Sequence, residues 1–242
     1  MQETQAAGIH SARSKKEDNM GLKALVIGNG ESRKSLDISL LKNTHTLIGC
    51  NAVHRDLIVD HLICCDQRMV REALENPNTD STTIYVRNHW HHYFRKIEKN
   101  KNVKLLPELP YQSKHRPDNP EHWGSGPYAV LLAASLGFKS IDIVGMDLYG
   151  RQGRVNNIYR DTDNYSNSAS KAVDPSYWRY QIERVFHYYP DTEFNIINFK
   201  EWQCPEEWRK KNVRISTFDV AFTLNISYNS SSAVFHGIQP AL

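Results

Sequence analysis

Four short apolar runs in this chain stop abruptly on small or polar residues. Lys23–Ile27 ends on Gly28-Asn29-Gly30, Thr46–Cys50 on Asn51, His61–Cys65 on Asp66, and Ser140–Val144 on Gly145-Met146-Asp147. Nearly continuous apolar runs of this length are how strands read when both faces of a parallel sheet are covered. Helices must supply the cover, and the intervening segments fit. Arg68–Leu74 and Ser176–Tyr188 read as helices, and Ala129–Leu136 is a small-residue-rich helix ending at Gly137, where a left-handed cap is expected. Thr82–Val86 and Val103–Leu106 add strands, and Glu193–Ile197 is expected to be the last core strand. The predicted class is α/β: one Rossmann-like domain, a mostly parallel sheet with helices on both faces, and a lid-like loop region.

A chain of 242 residues with 40% apolar and 24% charged residues can bury a core of that kind and is not globally disordered. The polar start suggests a disordered arm over 1–20, the domain spans 21–224, and 225–242 is a tail without clear period. A net charge of +3 does not argue for a nucleic-acid partner. Four cysteines without a CxxC pair favour a reducing compartment, and neither a signal-like nor a membrane-length apolar stretch is visible, so a cytoplasmic chain without a transmembrane segment is expected.

In open α/β sheets ligands bind beyond the carboxyl ends of the strands, so the four strand ends share one address. Gly28-Asn29-Gly30-Glu31-Ser32 has Arg33 where a dinucleotide fingerprint needs glycine, and no GK[ST] follows. It reads either as a tight turn or as a glycine loop turning N–H groups toward phosphate. Ser125, between two glycines, is a helix cap or a donor to a ligand. Asp66 and Asp147 cap the next elements, or act as paired carboxylates for Mg²⁺, ribose or proton transfer. His89, His91 and His92 stand too close together for convergent metal geometry and read as a loop or surface cluster, and Cys64-Cys65 as a buried pair. Segments 107–123 and 150–175 are the lid-like regions. Arg151, Arg154 and Arg160 in the second are either a clamp for an anionic substrate or a solvated surface.

Val26–Ser32 with Asp37, Cys50-Asn51, Ile63–Asp66 and above all SGPYAVLLAASLGFKSIDIVGMDLY (Ser125–Tyr149) resemble the bacterial sialyltransferases of glycosyltransferase family 42 and the related DUF115-type Rossmann-like proteins. The resemblance covers roughly residues 23–198, with little between 85 and 120. It implies a glycosyltransferase that moves a sugar from a nucleotide-activated donor, a CMP-sugar by preference, to an acceptor glycan without requiring a metal. Asn29, Gly30, Ser32, Asn51, Asp66, Ser125, Gly126 and Arg160 would then bind substrate, while Tyr149 and Tyr159 would stabilise the departing phosphate. Two positions depart from the pattern. Asp66 stands where the sialyltransferases carry asparagine, and their basic histidine is missing from Ala172–Ser176, which leaves Asp174 in its place. The DUF115 side of the resemblance also contains Mg²⁺-dependent diphosphokinases, and a catalytically inactive nucleotide-binding protein is a third implication.

Overall fold

Strands β1 (Lys23–Ile27), β2 (His45–Cys50), β3 (His61–Cys64), β4 (Thr83–Val86), β5 (Asn102–Leu105), β6 (Ser140–Val144), β7 (Glu193–Asn198) and β8 (Val213–Thr217) form one sheet in the order β5-β4-β3-β2-β1-β6-β7-β8. Every neighbouring pair is parallel. These are features of a computed structural model that describes residues 23–97, 102–112, 114–219 and 221. The arm expected at 1–20 and the tail at 225–242 lie outside the described residues.

The chain runs outward from β1 to β5, then returns to lay β6 against the other side of β1 and continues outward to β8. Strand order therefore reverses between β1 and β6, where a crevice opens above the strand ends. Both faces of the sheet are buried, which is why β1 had to be apolar from Ala24 onward. Ala24 and Val26 enter one core, Leu25 and Ile27 the other. The first core is covered by α3 (Ser125–Ser135) and α4 (Ser176–Tyr188), the second by α1 (Gln67–Glu75), α2 (Asn88–Ile97) and short 3-10 turns.

Helix α3 is buried from Pro127 to Ala134, so it is apolar all round and its alanines let it approach the sheet closely. It begins at Ser125, four residues before the expected start, because Pro127 fits a first turn whose N–H groups lack intrahelical partners in any case. The expected cap is present, with Gly137 at φ +93°.

Two elements were not foreseen. Helix α2 occupies ground expected to be irregular. Phe94 is buried and Trp90 packs on the same core one turn earlier, whereas His89 and His92 are exposed and His91 is half-buried. Beyond Glu193–Ile197, the expected last core strand, the sheet continues by one strand, β8. It is an edge strand with Arg214 and Ile215 exposed, and its mixed polarity hides it from a search for apolar runs.

A polar line crosses the sheet below the crevice. His45 Nε2 lies 3.0 Å from Asp142 Oδ2, Asn195 Nδ2 donates to Asp142 Oδ1 at 2.7 Å, and Ser216 Oγ donates to Asn195 Oδ1 at 2.6 Å. Burial pushes the Asp142 carboxyl up, but the hydrogen bonds from His45 and Asn195 and the electrostatic pull of His45 and Lys23 outweigh it and hold the group below its ordinary value. A carboxylate whose folded pKa is depressed stabilises the fold above its unfolded pKa, about 3.9, and loses that contribution as pH falls through the folded value. Thermal melts of the wild type and Asp142→Asn should differ most near neutral pH, and the gap should narrow below about pH 4. A gap that stays constant with pH would contradict this assignment.

Candidate functional site

The crevice is a cleft of about 530 Å³. Its floor is the crossing of two glycine turns. Gly28 N–H donates to Val144 O and Gly30 N–H to Gly145 O, each at 2.8 Å, so β1 and β6 stay bonded past their formal ends. A Cβ on Gly28 would fall 2.3 Å from Gly145 O, which explains why this contact excludes a side chain.

Asn29 leaves the floor with its Nδ2 donating to Cys50 O at 3.2 Å and to the Tyr165 hydroxyl at 3.1 Å. Its Oδ1 is buried and has no partner among the described residues. An unpaired buried acceptor costs about 1–3 kcal/mol, and such groups tend to face a ligand or an ion. Beyond β2, Asn51 adopts φ +50°, a left-handed conformation that asparagine tolerates, and its Oδ1 accepts from Ser125 Oγ at 2.8 Å. Ser125 Oγ also accepts from Cys65 N–H at 3.2 Å. The serine thus ties β2 and β3 to the start of α3 and does not cap its own helix. The N-cap is Gly124, which makes no side-chain cap bond. The amides of Ser125 and Gly126 open the helix on the cleft wall, where the partial positive charge of an 11-residue helix favours an anion.

Asn29, Gly30, Asn51, Asp66, Ser125, Gly126 and Tyr149 all border this cleft. The other four predicted site residues do not. Ser32 is fully buried, and both its amide (2.9 Å) and its hydroxyl bond Asp147. Tyr159 is buried between Arg33, which donates to its hydroxyl at 2.7 Å, and Asp56. Arg160 pairs with Glu31, and Asp174 accepts the Ser176 amide at 2.9 Å on the exposed entry to α4. The arginine clamp is not formed either. Arg151 and Arg160 both hold Glu31 and so fasten the loop to the domain, while Arg154 holds Ala169 O within the loop itself.

The two strand-end aspartates also separate. Asp66 caps α1 through the Arg68 amide at 2.8 Å and keeps 48% of its side chain exposed. Asp147 is buried, receiving Ser32 N–H at 2.9 Å, Ser32 Oγ, and Asn156 Nδ2 at 3.0 Å. A Mg²⁺ site built on the pair does not fit this arrangement, because the oxygens of Asp147 are already taken by protein donors.

Several cleft residues escaped the sequence reading. Tyr165 accepts from Asn29 and from Ala52 N–H at 3.4 Å, and burial raises its phenol, so it stays protonated. Arg87 donates to the carbonyls of Cys65, Pro120, Glu121 and Trp123, which holds the 120–123 segment beside the cleft. It follows β4 directly, so the strand-end rule would have found it. Burial pushes the Cys50 thiol up to about 12 and raises Cys65 as well, so neither cleft cysteine is a thiolate near neutral pH. Burial raises Tyr149 too, and its hydroxyl has no hydrogen-bond partner among the described residues. Comparison with family models, characterised proteins and solved structures finds no match.

Proposed function

We propose that this cleft binds a nucleotide-activated sugar, with a CMP-sugar the favoured donor, and that the protein is a glycosyltransferase acting on an acceptor glycan. One observation carries the reading. At the reversal point of the parallel sheet, Asn29, Asn51 and Ser125 converge on the open N-terminus of α3, in a cleft also lined by Tyr149, a protonated phenol without a hydrogen-bond partner among the described residues.

The chemistry follows from those groups. The Ser125 and Gly126 amides attract the donor phosphate through hydrogen bonding and the helix dipole. As the bond from the anomeric carbon to the phosphate oxygen breaks, its electron pair leaves with the nucleotide, and the Tyr149 hydroxyl donates to the growing negative charge. The acceptor hydroxyl bonds to the anomeric carbon and gives up its proton. Asp66 is better placed than Asp174 to receive it, being the solvent-exposed carboxylate on the cleft wall. Fixed donors need no reorganisation at the moment of reaction.

The reading is tested by calorimetric binding of CMP, UMP and GMP and by release of nucleotide from CMP-, UDP- and GDP-sugars, with and without glycans. Failure of every nucleotide to bind and of every donor to turn over removes the proposal. Tyr149→Phe should slow nucleotide release about tenfold to a hundredfold, the range for losing one hydrogen bond to a charged group. Nucleotide affinity should hardly change, because that bond strengthens only as charge develops. An equal fall in affinity would instead make Tyr149 a ground-state binding group.

A further inference from the structure

Part of the cleft lining has a different chemistry. Beside the amides, asparagines and serine already described, the cleft is lined by Tyr149, Val173 and Trp178, contributed by the loop after β6 and the start of α4. Val173 is 57% exposed, an apolar side chain held at the cleft edge by a loop that is otherwise polar.

Trp178 is half-buried and fixed in place. A Cβ on Gly124 would lie 3.0 Å from Trp178 Nε1 and 3.2 Å from its Cδ1, so the pyrrole edge rests on the Gly124 backbone. Trp202 Nε1 donates to Asp147 O and Trp208 Nε1 to Arg179 O, each at 2.9 Å, while Trp123 is wholly buried, its Nε1 without a partner among the described residues. Trp178 Nε1 has no hydrogen-bond partner among the described residues. A positioned indole with exposed surface and an uncommitted donor, on the wall of a cleft, is suited to a flat ligand that is apolar on one face and hydroxylated at its rim.

We infer that Trp178, with Val173 beside it, forms the acceptor subsite and takes the C–H face of a pyranose ring. A pyranose turns ring C–H groups to one face and keeps its hydroxyls at the edge, so it can desolvate an aromatic surface without stranding polar groups. This rests on the glycosyltransferase reading, in which the donor phosphate lies at the start of α3. Trp178, resting on Gly124 at that helix start, then flanks the place where a second substrate meets the anomeric carbon.

The full chain, labelled with 5-fluorotryptophan, provides a test that does not need turnover. Trp178→Phe assigns the Trp178 fluorine resonance among the five tryptophans of the chain. Methyl β-galactopyranoside, methyl β-glucopyranoside and methyl N-acetyl-β-glucosaminide are then titrated to high millimolar concentration with CMP present. At least one glycoside should move the Trp178 resonance saturably, and by clearly more than CMP alone does. Trp178→Ala should weaken that glycoside about tenfold while CMP affinity stays within about twofold, and Trp178→Phe should fall between. A resonance that no glycoside moves, or that CMP alone moves as strongly, overturns the subsite. CMP binding with no glycoside response overturns the subsite and leaves the donor reading standing. A glycoside response without binding of CMP, UMP or GMP overturns the donor reading and supports Trp178 as the carbohydrate platform.

Discussion

Gly28→Ala should weaken nucleotide binding at the cleft about a hundredfold and lower stability by about 3 kcal/mol, the upper part of the range for overpacking a tight interior. The added methyl would sit 2.3 Å from Gly145 O, 2.7 Å from Gly145 C and 3.0 Å from Met146 Sδ. Two of these are backbone atoms and cannot swing aside. Relief on the other side is blocked as well, because Gly145 already sits at φ +67° with its own Cβ position 2.6 Å from Gly28 O. The turns must therefore part, which stretches the Gly28-to-Val144 and Gly30-to-Gly145 hydrogen bonds and tilts Asn29 away from Cys50 and Tyr165. A displacement of about 1 Å at a binding group costs about a hundredfold. Calorimetric titration with CMP should show that loss, and the melting temperature should fall by about 6–12 °C for a domain of this size. A variant that binds and melts like the wild type would mean that the two turns are not the rigid floor of the site.

What the sequence made legible follows from where the physical signal is strong. β1 and β6 have identical bounds in sequence and structure because burial on both faces makes them almost wholly apolar, Asp142 being the one buried exception, tied to His45 and Asn195. α4 also keeps its bounds, since Ile182, Val185 and Phe186 repeat at helical spacing against the core. The elements that escaped are those with weak local signals. β8 lies at an edge and keeps Arg214 exposed, and α2 contributes Trp90 and Phe94 from a stretch crowded with histidines. The first turn of α3 was hidden by Gly124-Ser125-Gly126-Pro127, residues that usually mark a loop. Here they build a helix start, and the glycine preceding it leaves room for Trp178.

The site was legible where backbone topology dictates it. The residues directly after β1, β2, β3 and β6 reach the cleft because parallel strands deliver their carboxyl ends to one edge, and reversal of the order opens that edge between β1 and β6. Side chains farther from a strand end depend on partners that no local pattern announces. Ser32 turns inward to Asp147, Tyr159 to Arg33 and Asp56, and Arg160 to Glu31. Tyr165, which no motif marked, reaches Asn29 across 136 positions of sequence. The charge of the 150–175 loop was legible, but its use was not. A cluster of arginines looks the same in sequence whether it awaits an anion or already holds a buried glutamate.

Asp147→Ala should be the most destabilising single change at the site, by about 3–5 kcal/mol, whereas Asp66→Ala should cost about 1 kcal/mol. Both aspartates follow an apolar strand and look interchangeable in sequence, so the contrast isolates what their surroundings do. Removing the Asp147 carboxylate strands the Ser32 amide, the Ser32 hydroxyl and Asn156 Nδ2 in a buried position, and each orphaned donor costs about 1–3 kcal/mol. Removing Asp66 releases one helix-capping bond, to the Arg68 amide, at a place that water reaches. The melting temperature should therefore drop by about 10 °C or more for Asp147→Ala and by only a few degrees for Asp66→Ala. Asp147→Asn should fall between, since it keeps the shape and one acceptor but turns an NH₂ group toward donors. Activity should sort in the opposite sense. Asp66→Ala should remain folded and lose sugar transfer, because its carboxylate faces the cleft, while the loss in Asp147→Ala should follow the fraction unfolded. If Asp147→Ala melts with Asp66→Ala, then Asp147 is not the lock between the β1 and β6 turns, and its carboxylate would have to be reconsidered as a ligand-facing group.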